Sequence, residues 1–293
     1  MSLILFTVSR ILGIPLALIM MLFSARCTPP GSGTAGPGPG GGSSFSGRID
    51  HTCTDLPSIP ADWIDSVKTM SMHYAHTSHG GQLTTGLDLI ENDNSTYDAE
   101  VGSSYLPDVP GALCIFDGQE GDTYITPDMF WETADGMDMT RSVLTNNPAI
   151  TVCMWCWCCQ LDYYGQEQVQ AYLDSMAVLE SEYPSVTFVY MTGNAQNTGG
   201  EGYNRYQRNR QIRQYCESND KILYDFADLD SWWYNSSSSQ WEQNTYSYSG
   251  SSVPLEHGQF NGDQAGHTTY ESCRQKGRAL WWMLARIAGW DGS

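Results

Sequence analysis

A serine between a predicted strand and a predicted helix has the clearest potential for chemistry in this 293-residue chain. Ser78 follows a strand-like segment over residues 69–75, and Gly80 and Gly81 come two and three residues later. At such a turn the hydroxyl lies at the sheet edge, and the first N–H groups of the helix point at whatever the serine attacks. The alternative interpretation is that Ser78 caps the helix, which is a frequent role of serine.

A nucleophilic serine requires a base, and six histidines are available. His267 lies near the start of the last predicted helix, with Asp263 four residues before it. A carboxylate beside an imidazole fixes its tautomer and stabilises the imidazolium that forms when the serine loses its proton. His257 ranks second, because its neighbour Glu256 is adjacent in sequence and adjacent side chains rarely face each other.

A cluster of cysteines and histidines provides a second possible chemistry. Four thiols and three imidazoles fall near the ends of two predicted strands: Cys153, Cys156, Cys158, Cys159, His73, His76 and His79. Thiolate and imidazole together suit zinc or copper. Cysteines in an exported chain favour disulfides, and the eight cysteines after residue 27 allow 105 pairings, so none is assigned. We therefore expect structural disulfides rather than a metal site.

Alternating strand-like and helix-like segments position these residues. Strands are predicted over residues 69–75, 112–116, 149–157, 186–191 and 222–226, and helices over 82–91, 166–182, 204–219 and 267–288. Residues 231–253 lack periodicity and are predicted to form a long loop. This alternation predicts an α/β fold with a five-stranded parallel sheet, in which ligands bind beyond the carboxyl ends of the strands.

The arrangement resembles the SGNH (GDSL-like) hydrolases, in which a serine follows the first strand and an Asp–His pair precedes the last helix. The resemblance implies a flavodoxin-like three-layer α/β/α sandwich and ester hydrolysis through an acyl-enzyme, often on acylated carbohydrates, without a cofactor. It assigns Ser78 as nucleophile, His267 as base and Asp263 as its orienter. The chain has His76-Thr77-Ser78 where the family has Gly-Asp-Ser, and its Asp–His spacing is one residue longer.

The resemblance also implies an oxyanion hole. The family's Gly-x-Asn after the third strand is absent from this chain. Backbone N–H groups near His79 and Gly80 would supply part of the hole, and the side chain of Gln160 or Asn194 would supply the rest.

The N-terminal region predicts export. Residues 1–27 contain Arg10, an apolar stretch and a lipobox-like end at Cys27, which is typical of a signal peptide. Residues 28–48 are rich in Gly, Pro and Ser and predict a flexible tether, followed by a catalytic domain over 49–293. The protein is expected to be secreted, or held at the cell surface or in the periplasm by a lipid on Cys27.

Charge limits the partners that the protein can have. A formal net charge of −19 disfavours binding to nucleic acid and to anionic lipid, so contact with a membrane is expected through the lipid anchor alone. The expected partner is an ester of a small molecule or a polysaccharide, and aromatic residues within 231–253 could either stack on sugar rings or cover the edge of the sheet. Two alternatives stay open, namely a non-catalytic carbohydrate-binding surface lipoprotein and a protein that binds metal through His and Cys.

Overall fold

A computed structural model describes residues 45–293, which all belong to one compact unit. The fold is α/β, with a seven-stranded parallel sheet and eight helices among these residues. The strands of the sheet are β1 (Gly47–Ile49), β2 (Ser71–His76), β3 (Ala99–Ser103), β4 (Leu113–Asp117), β5 (Ile150–Cys156), β6 (Thr187–Met191) and β7 (Ile222–Tyr224). The helices are α1 (Ala61–Val67), α2 (Gly81–Asp93), α3 (Pro127–Phe130), α4 (Ala134–Asn146), α5 (Gln166–Glu182), α6 (Gly199–Ser218), α7 (Phe226–Ser231) and α8 (Tyr270–Ala288).

The strand order places a topological switch point in the middle of the sheet. The order is β1-β7-β6-β5-β2-β4-β3, so β2 lies between β4 on one side and β5 on the other. After β2 the chain forms the edge strand β3 and returns to β4 on one side of β2, and it then builds the other side through β5, β6 and β7. Parallel α/β sheets bind ligands in the crevice beyond the carboxyl ends of strands at such a point.

The five predicted strands are present, and the expected strand count of five is wrong because two edge strands were missed. β1 has three residues, and β3 has the sequence Ala-Glu-Val-Gly-Ser, in which one residue of five is buried. Neither segment has the apolar content that marked β5, which is buried at six of its seven positions. An edge strand is covered on fewer sides than a central one, so its sequence carries a weaker apolar signal.

The segment predicted as a long loop contains two antiparallel hairpins. β8 (Trp232–Asn235) pairs with β9 (Gln240–Gln243), and β10 (Thr245–Tyr248) pairs with β11 (Ser251–Pro254). Their serine-rich, aromatic strands are exposed or half-buried at all but one position, and the alternation expected of a half-buried strand is weak.

The predicted signal peptide, the lipid anchor at Cys27 and most of the tether lie outside the described residues. The last two tether residues, Gly47 and Arg48, form part of β1 and pair with β7. Within residues 45–293 no helix has the length and apolar content needed to cross a bilayer.

The expected disulfides are absent from the part of the chain that the structure describes. All eight cysteines from Cys53 to Cys273 are free thiols, and six of them are buried. Buried free cysteines pack as small apolar side chains. Burial raises the pKa of the Cys153 and Cys156 thiols, which disfavours the thiolate form of both.

Candidate active site

A thiol, a hydroxyl and an imidazole meet at the switch point. Cys158 follows β5, while Ser78 and His79 follow β2, its neighbour in the sheet. The Cys158 Sγ atom lies 3.0 Å from His79 Nδ1 and 3.3 Å from Ser78 Oγ. Because parallel strands bring their carboxyl ends to one edge, residues 79 positions apart in sequence come into contact there.

Three contacts fix the backbone around Cys158. The preceding residue, Trp157, is fully buried, and its indole N–H donates to the Met191 carbonyl at 3.0 Å. The Cys158 N–H donates to Gln160 Oε1 at 2.7 Å, and its carbonyl accepts from Asn194 Nδ2 at 2.9 Å. The thiol is therefore held in place rather than carried on a mobile loop.

The turn that holds Ser78 and His79 depends on close packing at Gly80. Residues Ser78–Gly80 form a 3-10 turn that leads directly into α2. A Cβ at Gly80 would lie 2.1 Å from the Cβ of His76 and 2.7 Å from the Tyr74 hydroxyl. Only glycine allows the turn to approach β2 this closely, and this close packing sets the position of the His79 backbone, from which the imidazole extends.

Gln196 holds the far side of the His79 ring. The His79 Nε2 atom lies 2.8 Å from Gln196 Oε1, and an amide oxygen can only accept a hydrogen bond. Nε2 therefore carries a proton, and in the neutral ring Nδ1 presents its lone pair to the Cys158 thiol. This arrangement lets His79 accept the thiol proton.

The pair is electrostatically biased toward its charged form. Burial alone would raise the pKa of the Cys158 thiol, but the hydrogen bond and charge of His79 outweigh it and lower the pKa to about 6. Burial would lower the pKa of His79, yet the hydrogen bond and charge of Cys158 raise it above its usual value. A thiolate beside an imidazolium is the form in which cysteine acts as a nucleophile at neutral pH.

Access to the thiol is narrow. Cys158 is 7% exposed and His79 is 6% exposed, whereas Ser78 is partly exposed and both Cys159 and His267 are exposed. The Cys158 thiol and the His79 ring are therefore buried beneath residues that are themselves exposed or partly exposed.

The predicted Ser–His–Asp set is brought to the same edge, but the structure does not join its members into a triad. The His267 ring lies 5.1 Å from the His79 ring, centroid to centroid, and its Nδ1 is 3.7 Å from Asp263 Oδ1. Both side chains are exposed, His267 at 55% and Asp263 at 87%. Within residues 45–293 the hydrogen-bond partner of Ser78 Oγ is Cys158, not an imidazole.

The predicted oxyanion residues have mixed roles. His79 contributes its imidazole to Cys158, and the Gly80 N–H donates to the Thr77 carbonyl at 3.1 Å, so that N–H is already used. The Asn194 side chain positions Cys158 through its carbonyl. Gln160 is buried next to the thiol with Oε1 engaged, and in the described part of the chain its Nε2 makes no hydrogen bond, so it can donate to a ligand.

The contact between Cys158 and His79 was not predicted from the sequence, and Gln196 was not considered at all. The signal for Cys158 was its position directly after a predicted strand, but its place among four close cysteines favoured a disulfide interpretation. Gln196 lies 117 residues from His79 in sequence, and no local pattern connects the two.

One group of side chains in residues 45–293 has the ligand atoms for a metal ion. Asp50, His51 and Asp228 place one oxygen or nitrogen each within 4.8 Å of the others. The Arg48 guanidinium is already 2.8 Å from Asp228, and His51 Nδ1 is 2.5 Å from the same carboxylate. Arg48 and His51 therefore already occupy the Asp228 carboxylate, and a cation at this position would have to compete with them for it.

No protein-family model matches the chain, and a search of curated proteins finds none with significant similarity to it.

Proposed function

We propose that the protein is a thiol-dependent hydrolase of carboxylic esters, with Cys158 as the nucleophile and His79 as the acid–base group. The observation that carries this proposal is the 3.0 Å contact between Cys158 Sγ and His79 Nδ1, with the other ring nitrogen held by Gln196. A nucleophile, a base within hydrogen-bond reach and a third group that orients the base are the general features of such sites.

The reaction follows from these contacts. The Cys158 thiolate attacks the ester carbonyl carbon, and His79 donates its Nδ1 proton to the alcohol as the C–O bond breaks, which leaves a thioester on Cys158. Water then attacks the thioester while His79 Nδ1 takes its proton. The acid leaves, and the thiolate is restored with the imidazolium beside it. Gln160 Nε2 is the side-chain donor proposed for the oxyanion, because it is free to donate and lies next to the nucleophile.

The first test measures the rate at which iodoacetamide alkylates Cys158 as a function of pH, with mass spectrometry as the readout. A Cys159→Ser background removes the exposed neighbouring thiol. Only the thiolate reacts, so we expect the rate at Cys158 to rise with pH around pH 6, below the ordinary thiol range. Cys158 and His79 titrate as a pair, so the midpoint belongs to both groups. A rate that rises only near pH 9 would contradict the proposal.

A serine esterase of the SGNH type is the second candidate, and one observation favours it. The loop before α8 packs on the Ser78 turn, because Gln82 Nε2 donates to the Gly266 carbonyl at 2.5 Å. This contact brings His267 to the sheet edge that the resemblance requires. The seven-stranded parallel sheet is compatible with a three-layer sandwich of that family.

Replacing Ser78 by alanine separates the two candidates. If Cys158 is the nucleophile, Ser78 contributes one hydrogen bond to the thiolate, so we expect kcat/KM for p-nitrophenyl acetate to fall by about tenfold. A serine nucleophile would instead be lost entirely, and turnover would drop to background. A thermal melt equal to that of the wild type is the control for folding.

The proposed substrate class is an acylated carbohydrate or similar ester, handled outside the cytoplasm. The aromatic hairpins support it: Tyr234 is 45% exposed, and its ring lies 5.3 Å from that of Trp241. Exposed aromatic faces can stack on sugar rings.

A further inference from the structure

Two acceptors hold the Gln196 amide in one orientation. Its Nε2 group donates to Glu256 Oε1 at 3.1 Å and to the His267 carbonyl at 2.8 Å. If the amide were flipped, its oxygen would face both acceptors, and both contacts would become repulsive. The oxygen of Gln196 must therefore point at His79.

Glu256 is itself fixed by contacts from two other segments. Its Oε1 atom accepts from Thr268 Oγ1 at 2.9 Å, and its backbone N–H donates to the Ala195 carbonyl at 2.8 Å. The side chain of Thr268 is fully buried, and Glu256 is 8% exposed. These contacts hold the Glu256 carboxyl group beside the Gln196 amide.

We infer that Glu256 is a positioning residue, which sets the proton on His79 by fixing the orientation of Gln196. This inference rests on the proposed function and extends it to a residue that touches neither the nucleophile nor the acid–base group. With the amide oxygen held toward His79, Nε2 keeps its proton and Nδ1 stays directed at the Cys158 sulfur. Without Glu256, only the His267 carbonyl holds the amide, so its NH₂ group can turn toward His79 in part of the molecules, and the imidazolium then loses its acceptor.

The charged groups around this chain of contacts are few. His79 interacts electrostatically with Cys158 and, at longer range, with Asp230, and its ring lies against that of His267. Glu256 interacts electrostatically with Asp230 and Lys276. Burial raises the pKa of Glu256 to about 7, with Asp230 acting in the same direction. The carboxylate and the protonated acid both keep an oxygen that can accept from Gln196 Nε2, so the contact is available across the pH range in which Cys158 titrates.

The test replaces Glu256 by methionine and measures the iodoacetamide profile of Cys158, again in the Cys159→Ser background. Methionine has a similar volume to glutamate but cannot accept a hydrogen bond from Gln196. Gln196 then holds the His79 imidazolium less firmly, and the Cys158 thiolate, which pairs with that imidazolium, is stabilised less. We expect the midpoint to move upward by about one pH unit, which is about a tenfold loss of thiolate at a fixed pH below it. Glu256→Gln, whose amide oxygen can still accept, should restore most of the wild-type profile.

Two controls separate positioning from general damage. Glu242→Met makes the same change on an exposed hairpin and should leave the profile unchanged. In a Gln196→Met background, Glu256→Met should produce no further shift, because its effect passes through Gln196. If Glu256→Met does not fold, Thr268→Val removes the hydroxyl that holds Glu256 and should shift the midpoint in the same direction.

The readout needs no substrate, so the two proposals fail separately. An unchanged profile in Glu256→Met and Thr268→Val, or an equal shift with and without Gln196, would overturn the positioning role alone. An ordinary thiol profile in the wild-type protein would instead overturn the proposed function.

Discussion

Replacing Cys158 by alanine is expected to reduce kcat/KM for p-nitrophenyl acetate by at least about 10³-fold, the scale seen when a catalytic nucleophile is removed. The Cys158 sulfur contacts both the His79 ring and the Ser78 hydroxyl. Cys158→Ser should be almost as inactive. A serine hydroxyl has a far higher pKa than a thiol, and His79 is arranged to stabilise a thiolate.

The controls for this prediction use the other thiols. Cys159→Ala removes the exposed neighbour, and Cys216→Ala removes a buried thiol on α6, so both variants should retain turnover. Brief reaction with the ester, acid quenching and peptide mapping should find the acyl group on Cys158 in the wild-type protein. Acylation of Ser78, or turnover by Cys158→Ala within tenfold of the wild type, would assign the nucleophile to the serine.

The sequence contained enough information to locate the edge of the sheet where these groups lie. The continuous apolar run over 149–157 predicts a buried strand, and the structure has β5 there. Parallel sheets bind ligands beyond the carboxyl ends of their strands, so the sequence directs attention to the residues after β2 and β5, which the structure brings into contact. A buried strand can be predicted from its own segment of the sequence, because its burial requires apolar side chains in that segment.

The pairing of Cys158 with His79 could not be predicted in the same way. It depends on β5 lying beside β2 rather than beside β4, and strand order is set by the packing of the whole sheet. The Asp263–His267 spacing was a real local signal, but it places both side chains on the exposed side of the loop. The spacing of two residues along the chain does not show whether their side chains point into the protein interior or into solvent.

The contacts of Gln196 with His79 and with Glu256 are even harder to predict from the sequence. Gln196 and Glu256 lie 60 residues apart, on the segment after β6 and the segment after β11. Neither residue type is unusual in a loop, so composition gives no reason to connect them. Their roles follow from burial and from the donors and acceptors that burial forces together.

Replacing Lys276 by methionine is expected to lower the free energy of unfolding by about 3–5 kcal/mol, the cost of leaving a buried charge unpaired. Lys276 Nζ lies 2.7 Å from Asp230 Oδ1, and both side chains are fully buried. The other oxygen of Asp230 accepts from the Ala195 N–H at 2.8 Å, next to Gln196. Urea unfolding, with the midpoint and the slope both measured, gives the change in stability.

The size of the loss in unfolding free energy shows whether burial makes the Lys276–Asp230 pair important, because an ion pair at the surface contributes little to stability. Lys68 and Asp65 form a pair at 3.1 Å in which Asp65 is 71% exposed, so Lys68→Met should cost about 1 kcal/mol or less. Adding Asp230→Asn to Lys276→Met removes the unpaired charge and should recover part of the loss. If Lys276→Met cost no more than Lys68→Met, the buried Lys276–Asp230 pair would not stabilise the fold more than an ion pair at the surface does.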